Sequence, residues 1–409
     1  MGPVTRARKY FAVIHQTKHA FGKLLGMLRD FAEGSRLHHF GESRVVALRL
    51  RPDWPMYACP QIGTHALVAK ITSIVDVMDR LPSEHHARLF LEHMLWPDGP
   101  VCPHCRGKDV KRLKGKKCRD GLIQCKRREC RRQFTVTTKT PLHATKLSLR
   151  RWIMAMVTVL SSSKGISSVV LARNLGVTQK TAWKIGHAIR ELMAGEGSRG
   201  ALLSGIVEVD EAFVGGAPKY QKGKKNKRGR GTKKQPVLIV ASGSGQARAV
   251  RIETVTTKEL TATVTGIVDR SSVLMTDRNS VYHGVGKLFA EHHSVKHSAK
   301  EFVNKETKAH INTAESLSGV IERARVGVYH RLTGYHVQRY LDEIVWRWNR
   351  RVPPKDGAAN STGKHMRWKP LSMMDLLRSL LRDAQGRQMR RSAVYGLRWP
   401  DKELASFGG

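Results

Sequence analysis

Residues 206–216, IVEVDEAFVGG, decide the fold that the sequence predicts. Apolar residues flank the carboxylates of Asp210 and Glu211, and two glycines end the run. This pattern is typical of a mostly buried strand that breaks into a turn. An ionised carboxylate on such a strand costs several kcal/mol unless a positive charge faces it. We therefore expect a divalent cation opposite Asp210, because hard cations prefer oxygen ligands.

Two later segments supply carboxylates in matching contexts. Asp277 ends a predicted strand in the segment SSVLMTDRN, and Glu315 lies near the start of an amphipathic helix in HINTAESLSGVIERA. Taken singly, each of the three acids also fits an ordinary role as a paired turn residue, a strand-end cap or a surface helix residue. Together, on strand, strand and helix, they form the set that holds two magnesium ions for phosphoryl transfer on DNA.

The order of predicted elements around these acids defines a fold class. Two strands follow the first across a Gly/Ser turn, and a helix, a strand, a helix, a short strand and a final helix come after them. This order predicts an α/β fold with an RNase H-like mixed sheet. The predicted bounds are strands 236–241 and 247–255, a helix 258–268 capped by Thr257, strands 272–276 and 292–297, and a helix 313–325.

The charge balance points to a polyanionic partner. Lys and Arg number 73 against 33 Asp and Glu, so the formal net charge is +40. Such an excess of one sign favours nucleic acid. A membrane is the alternative, but the longest apolar run, around residues 152–160, is far too short to span one. No signal peptide is expected, so we predict a reducing cytoplasmic location, associated with a prokaryotic nucleoid.

Cysteine spacing predicts a zinc ribbon. Five of the six cysteines fall between residues 102 and 130, and four of them form the pairs CPHC and CKRREC. Two such knuckles on neighbouring hairpins close a tetrahedral site, although buried free thiols or a disulfide are alternatives. The predicted ligands of one structural Zn²⁺ are Cys102, Cys105, Cys125 and Cys130, with Cys118 and His104 as substitutes and Cys59 as a bystander.

A helix-turn-helix is predicted between the ribbon and the sheet. A helix at 167–175 ends at Gly176, and Thr178 caps a second helix with polar residues near its start. A recognition helix enters the major groove in this way, although an ordinary helical hairpin would show a similar pattern. The residues expected to contact DNA here are Gln179, Lys180, Thr181 and Lys184.

A basic segment follows the first strand of the sheet. Residues 219–234, KYQKGKKNKRGRGTKK, contain nine Lys or Arg among 16 residues and no acid. Such runs are commonly solvated loops, but this one directly follows the acidic strand, where it would lie beside the scissile phosphate. The residues expected to contact DNA are Lys224, Lys225, Lys227, Arg228 and Arg230.

Several motifs in one order resemble a known family. They are WPDGPVCPHC, LARNLGVTQKTAW, VEVDEAFVGG, TDRN, INTAESLSGVIERARVGVYH and HVQRYLDEIVWRWNRR. Between about Ile71 and Arg351 the chain resembles the zinc-ribbon insertion-sequence transposases of the DDE class, the ISXO-two-like group. The resemblance implies that Asp210, Asp277 and Glu315, with two Mg²⁺ or Mn²⁺ ions, cut the ends of an element and join them to target DNA.

The chain departs from that family pattern near its third acid. The family often has a basic residue seven positions after this acid, where the present chain has Glu322, followed by Arg323. Some members are described with Asn as the third residue, which would point to Asn312.

The expected partners are double-stranded DNA and further copies of the chain. Because two element ends must be paired, we expect at least a homodimer on DNA. A decayed DNA-binding regulator and a structure-specific nuclease are the alternative functions. The predicted regions are an extension 1–70, a helical lead-in 71–98, the zinc ribbon 99–140, the helix-turn-helix region 147–196, the catalytic domain 204–351 and a basic helical tail 352–409.

Overall fold

The chain divides into two compact units, Met1–Pro60 and Gln61–Gly409, and everything described below belongs to the second. The N-terminal extension with Cys59, and five basic residues after the first sheet strand (Lys224, Lys225, Lys227, Arg228 and Arg230), lie outside the described residues. The computed structural model describes residues 71–115, 118–194, 201–216, 222–223, 232, 234–295, 303–304, 309–330, 332, 334–353, 368–382, 384–392 and 396–398.

Two short helices lead into a small three-stranded sheet. Helix α1, Ile74–Arg80, begins at a capping box formed by Ser73, and helix α2, Glu84–Leu95, begins at the predicted cap Ser83. Capping residues satisfy backbone N–H groups that have no partner within the helix. The sheet that follows is antiparallel, in the order β1, β2, β3, with bounds Val110–Arg112, Ile123–Cys125 and Gln133–Phe134.

Three helices form the next part of the chain. Helix α3 spans Leu149–Ser161, α4 spans Ser168–Leu175 and α5 spans Gln179–Met193. Gly176 ends α4 with φ +61°, a left-handed conformation that glycine adopts without strain, and Thr178 caps α5. The helix-turn-helix elements predicted from the sequence therefore occur with the expected turn and caps.

A mixed five-stranded sheet forms the second half of the molecule. Its strand order is β6-β5-β4-β7-β8, with β6, β5 and β4 antiparallel and β4, β7 and β8 parallel. This arrangement confirms the RNase H-like fold that the order of elements predicted. The strands are β4, Ile206–Val214; β5, Gln235–Ser242; β6, Ala247–Arg251; β7, Val273–Asp277; and β8, Glu291–Val295.

Helices cover both faces of this sheet. Consecutive residues of β5 alternate between two apolar cores, as the period of a strand requires. One core contains helices α6, Thr257–Thr265, and α7, Val281–Gly286; the other contains α8, Asn312–Ala324, and α9, Val337–Trp348. A single π-helical turn, Arg325–Tyr329, extends α8.

Two predicted boundaries in the sheet domain were wrong for one local reason. Thr256, not Thr257, caps α6, because its side chain accepts the N–H of Glu259 in the spacing of a capping box. The Glu259 carboxylate in turn accepts the N–H groups of Glu253 and Thr254 at 2.7 and 2.8 Å. These two groups are thereby withdrawn from strand pairing, so β6 ends at Arg251 rather than at residue 255.

The C-terminal segment is less helical than predicted. Helix α10, Met373–Leu381, lies in the tail that was predicted to be helical, but the basic run RQMRR at residues 387–391 ends in a strand. Gly386, with φ +89°, lies in a turn between the helix and this run. Two short antiparallel pairs complete this region: β9, Arg351–Val352, with β10, Lys369–Pro370; and β11, Arg390–Ser392, with β12, Gly396–Arg398.

One apolar core joins the lead-in helices, the ribbon and the three central helices. Phe90 of α2, Cys125 of β2, Ile153 of α3 and Ile189 of α5 all belong to it, and each is almost completely buried. Leu377 of α10 is also part of this core, although it lies nearly two hundred residues further along the chain than α5. The ribbon and the helix-turn-helix are therefore packed as one body rather than as separate modules.

A buried carboxylate connects α5 to the sheet domain. Glu343 of α9 is fully buried and accepts hydrogen bonds from Arg190 Nε at 2.6 Å, Tyr329 Oη at 2.8 Å and Arg347 Nη1 at 2.7 Å. Burial opposes its ionisation, but attraction to Arg190 and Arg347 outweighs burial and lowers its pKa to about 2. Arg347 also donates to backbone carbonyls at the end of α3, at 2.7 and 2.9 Å.

We expect Glu343→Gln to destabilise the protein by about 3–5 kcal/mol, because it leaves the buried Arg190 and the partly buried Arg347 without their counter-charge. Urea unfolding followed by circular dichroism measures this loss. The matched control is Glu253→Gln, at an exposed glutamate that pairs only at the surface with Arg251. Equal losses in the two variants would contradict the structural role of Glu343.

Candidate active site

The two predicted aspartates lie side by side on adjacent parallel strands. The register of β4 and β7 pairs Val209 with Thr276, so the next residues, Asp210 and Asp277, stand at the same level. Val207 and Val209 pack into the core with α6 and α7, which directs Asp210 to the opposite face of the sheet. That face is the one covered by α8, the helix that carries Glu315.

Electrostatics show that the predicted acids share one environment. Burial, together with the negative charges of Glu211, Glu315 and Asp277, raises the pKa of Asp210 to about 7. A hydrogen bond opposes this rise, because the N–H of Glu211 donates to Asp210 Oδ1 at 2.9 Å. The site therefore concentrates negative charge around Asp210.

Both candidates for the third residue lie at the start of α8. Glu315 is in the first turn and exposed, and Asn312 is the first residue of the helix and also exposed. Seven residues after Glu315, the carboxylate of Glu322 accepts a hydrogen bond from Arg325 Nε at 2.8 Å. The pairing partner of Glu322 is thus Arg325, on the π-helical turn, and this bond lowers the pKa of Glu322.

Glu211 fastens the strand to the loop after Asp277. Its carboxylate accepts from Asn279 Nδ2 at 3.2 Å and from Tyr282 Oη at 2.6 Å. Tyr282 is fully buried on α7, on the face opposite to Asp210. The structure thus gives Glu211 a supporting role. Nothing in the sequence pointed to Tyr282, because a tyrosine inside a short helix usually serves packing alone.

A third acid on β4, Glu208, was missed by sequence reasoning. Glu208 is only 2% exposed and, two residues before Asp210, points to the same face of the sheet. The alternation of the segment IVEVDE contained this signal, because it places Glu208 and Asp210 together, away from the two valines. Glu208 contacts the backbone of α8, as described below.

The four cysteines predicted to bind zinc converge on one point. Their sulfur atoms all lie within 4.8 Å of one another, with Cys102 and Cys130 3.8 Å apart and Cys105 and Cys125 3.6 Å apart. In the part of the chain that the structure describes, this is the only group of three or more His, Cys, Asp or Glu side chains with that spacing. Two alternatives lie elsewhere: Cys118 is exposed, and His104 Nδ1 contacts Arg132 at 3.2 Å.

Matching backbone turns shape both cysteine knuckles. Arg106 follows the second cysteine of the first knuckle with φ +58°, and Arg131 follows that of the second with φ +49°. The backbone N–H of Arg106 donates to the carbonyl of Cys102, and the N–H of Arg131 donates to that of Arg127. The unequal gaps between the cysteines thus end in the same left-handed turn, which brings all four thiols to one site. Such a set fits a tetrahedral Zn²⁺.

The carboxylate set fits a different kind of cation. Asp210, Asp277 and Glu315 offer only oxygen atoms, which suits Mg²⁺ or Mn²⁺. Their oxygens do not all approach as closely as the cysteine sulfurs do. A site for two ions does not require every carboxylate to meet at one point.

The predicted recognition residues are all exposed at the start of α5. Gln179 Nε2 donates to Ser168 Oγ at 2.8 Å, and Thr181 Oγ1 lies 2.9 Å from the cap residue Thr178. Lys180 and Lys184, four residues apart, lie on one exposed side of the helix. From Ile185 onward the helix is buried, so only its first turns are available to a ligand.

Two stretches of the chain match known families. Residues 202–349 match the ISXO2-like transposase domain, and residues 82–133 match the transposase zinc-ribbon domain. The chain carries an ISXO2-like transposase domain. The resemblance noted in the sequence motifs is confirmed, and the mixed sheet and the cysteine cluster of this transposase fall inside the two matched stretches.

Relatives of the transposase include a protein of an archaeal mobile element. An uncharacterised protein in transposable element ISH50 of Halobacterium salinarum is 28% identical over 255 residues, which cover 59% of this chain and 83% of that protein. Among solved structures, the Mos1 transposase paired-end complex with left transposon end is 12% identical and covers 47% of this chain and 73% of its own, with a TM-score of 0.22.

A pre-cleavage Mos1 transpososome gives a TM-score of 0.21 at 11% identity, with the same coverage of 47% and 73%. The fold of the present transposase is therefore assigned from its own strand order. Within the described residues, a helix with the length and apolar character needed to span a bilayer is not found.

Proposed function

We propose that this transposase binds the terminal inverted repeats of its element and catalyses metal-dependent cleavage and joining of DNA strands. The carrying observation is the partly buried Asp210 beside Asp277, with a pKa raised to about 7 by burial and by the neighbouring carboxylates. A carboxylate with such a raised pKa lowers the stability of the fold. Active sites commonly accept this loss because their chemistry requires the group. The catalytic residues we propose are Asp210, Asp277 and Glu315, with Asn312 as the alternative third residue.

The protein groups have distinct roles in this proposal. Asp210, Asp277 and Glu315 hold two Mg²⁺ or Mn²⁺ ions, which supply Lewis-acid activation of the attacking oxygen and stabilisation of the leaving oxygen. Asp210 releases the proton that its carboxyl group otherwise retains up to a pH of about 7. Glu211 fixes the loop that follows Asp277 through Asn279 and Tyr282.

The cysteine cluster takes a structural role in the same proposal. Cys102, Cys105, Cys125 and Cys130 hold one Zn²⁺, and four protein ligands leave no open position for a substrate. The region they order lies in one core with the helix-turn-helix.

Double-stranded DNA is the proposed partner. The exposed start of α5 supplies Lys180 and Lys184 to the duplex, and the net charge of +40 attracts it over a longer range. The basic run after β4 adds contacts near the reacting phosphate. Because both ends of an element must be held, the active form is a homodimer or a larger assembly on DNA.

The decisive test is cleavage and joining by purified protein with Mg²⁺, on DNA that carries the inverted repeats flanking its reading frame. Nicking at the repeat tips, followed by joining of the freed end to a second duplex, is the expected result. A scrambled repeat of equal length is the control. Tight, repeat-specific binding without any nicking would instead identify a DNA-binding regulator, and equal nicking of both substrates would identify a nuclease.

Changing Lys180 and Lys184 together to Gln should weaken DNA binding and flatten its dependence on salt. Each lost phosphate contact removes about one from the slope of log affinity against log salt, so the slope should fall by about two. Fluorescence anisotropy with a labelled duplex at several salt concentrations measures this. Lys258→Gln, at an exposed lysine on α6, is the matched control and should leave the slope unchanged. An unchanged slope in the double variant would exclude α5 as the DNA-contacting helix.

The raised pKa of Asp210 makes stability depend on pH. The folded protein keeps this proton to a pH of about 7, whereas an unfolded chain releases it near the ordinary value of 3.8. Because the unfolded state binds fewer protons between these values, the free energy of unfolding falls as the pH rises from about 4 to about 7 and then levels. Asp210→Asn should remove this fall.

Urea unfolding of wild type and Asp210→Asn at pH about 5 and about 8, without added magnesium or manganese, measures the difference. The variant should be the more stable protein at the higher pH and should lose activity. If both proteins show the same pH dependence, Asp210 does not carry the raised pKa.

A further inference from the structure

The buried Glu208 is bonded to the first turn of the helix that carries Glu315. One oxygen, Glu208 Oε2, accepts the backbone N–H groups of Thr313 at 2.7 Å and of Ala314 at 2.9 Å. The other oxygen, Oε1, lies 3.3 Å from His310 Nδ1. All three contacts reach more than one hundred residues along the chain from β4 to the start of α8.

Helix α8 has no capping side chain of its own. The residue at its N-cap position is Ile311, which is apolar, 2% exposed and packed against Met275 and Val295. The first N–H groups of a helix need an acceptor from outside, and a carboxylate is also favoured there by the helix dipole. Helices α2 to α6 instead begin at a Ser or Thr whose own side chain accepts an N–H of the first turn.

The position of Glu208 links two parts of the proposed site. It is two residues before Asp210 on β4, so both side chains leave the same face of the same strand. The more buried of the two N–H groups that Glu208 binds belongs to Ala314, the residue directly before Glu315. One short strand therefore carries the first catalytic aspartate and also fixes the start of the helix that bears the third acid.

We propose that Glu208 is a positioning residue that sets the distance between Glu315 and the two aspartates by capping α8 from the neighbouring strand. The inference rests on the proposed function, because it assumes that the three acids hold metal ions. Glu208 itself is not a ligand, since Oε2 is fully engaged by two N–H groups and the side chain is buried. The helix dipole favours its charge, but its positioning role depends on where its oxygen lies.

This distinction gives a clear mutational test. Glu208→Gln keeps the side-chain length and one carbonyl oxygen, which accepts both N–H groups as Oε2 does. Glu208→Asp keeps the charge but shortens the side chain by one methylene, so its oxygens no longer reach the N–H groups. A capping role predicts that Gln works and Asp fails, whereas a role for negative charge predicts the reverse.

Three measurements on the full chain distinguish these outcomes. Hydrogen exchange of peptides covering residues 309–324, without added magnesium or manganese, reports directly on the cap. Mn²⁺ binding reports on the carboxylate site, and steady-state kinetics with element-end DNA separate kcat from KM. Because partners that orient metal ligands affect metal affinity about 10–100-fold, we expect a loss of that size in Glu208→Asp and less than about threefold in Glu208→Gln.

The expected kinetic pattern is a lower kcat with unchanged KM, because Glu208 is bonded to the start of α8 and not to the residues of α5 that are proposed to contact DNA. Thr256→Ala is the matched control, since it removes the cap of α6, on the other face of the sheet. It should raise exchange in α6 and leave Mn²⁺ affinity unchanged. A general loss of stability would lower Mn²⁺ affinity in both cap variants.

Two results would overturn the inference. One is unchanged exchange and Mn²⁺ affinity in Glu208→Asp, and the other is a Gln variant as impaired as the Asp variant. The proposed function fails separately: in that case the wild-type protein neither binds Mn²⁺ in a manner that depends on Asp277 nor cleaves element ends. If the proposed function fails, hydrogen exchange still tests the Glu208 cap, because this measurement requires no metal and no DNA.

Discussion

Asp277→Asn is expected to lower strand cleavage by about a thousandfold or more while DNA binding persists. Such a loss corresponds to roughly 4 kcal/mol of transition-state stabilisation, the amount that metal coordination commonly supplies. The substitution keeps the shape of the side chain and one oxygen, and Asn can still accept the N–H of Arg278 that now donates to Asp277 Oδ1 at 2.7 Å. The fold should therefore remain intact, so that the loss reports on chemistry.

Two measurements are needed for this variant. Gel assays of nicking at the repeat tips give the rate, and anisotropy with the same duplex gives the affinity. Asp269→Asn is the matched control, because Asp269 is an aspartate just before β7 whose carboxylate accepts hydrogen bonds from Ser271, remote from Asp210. Cleavage by Asp277→Asn at more than a tenth of the wild-type rate would remove Asp277 from the catalytic set.

Removal of the proposed zinc is expected to unfold the ribbon together with the helices that share its apolar core, among them α2, α3 and α5. Binding of a structural Zn²⁺ by such a site contributes about 10–16 kcal/mol to folding, more than the total stability of most domains. Cys125 is fully buried in the core that also contains Ile189 of α5. Cys125→Ser should therefore abolish DNA binding, although the exposed lysines of α5 are untouched.

The zinc content of the purified protein, measured by mass spectrometry, should be one per chain in the wild type and near zero in Cys125→Ser. Circular dichroism and DNA anisotropy then report on the fold and on binding. Cys118→Ser is the matched control, because Cys118 is exposed and lies outside the cluster. Full DNA binding by Cys125→Ser without bound zinc would show that the ribbon and the helix-turn-helix fold independently.

Local patterns predicted the elements of this structure well. The alternation around Asp210, the apolar run before Asp277 and the spacing of the four cysteines each placed a side chain on the element where the structure has it. These signals are local because strand period, helix period and turn residues act over a few residues. The error at Thr256 is of the same local kind, since two adjacent threonines compete for one cap.

Contacts between distant segments were beyond such reasoning. The Arg190–Glu343 ion pair joins residues 153 positions apart, and the sequence around either residue does not identify the other as its partner. Glu208 was missed for a related reason: an apolar Ile311 at the start of α8 suggests an uncapped helix, and the acceptor comes from another strand. A single sequence shows which acids are unusual but does not show which backbone they bind.

The packing of α10 determines what a truncated copy of the gene can produce. This helix, near the end of the chain, supplies Leu377, Leu380 and Leu381 to the core of the ribbon and the helix-turn-helix. A gene copy interrupted by a stop codon after the sheet domain would lack the helix that completes the apolar core around α5. Such a copy should yield a fragment that is degraded, and it should not persist as a dominant inhibitor competing with intact copies for element ends.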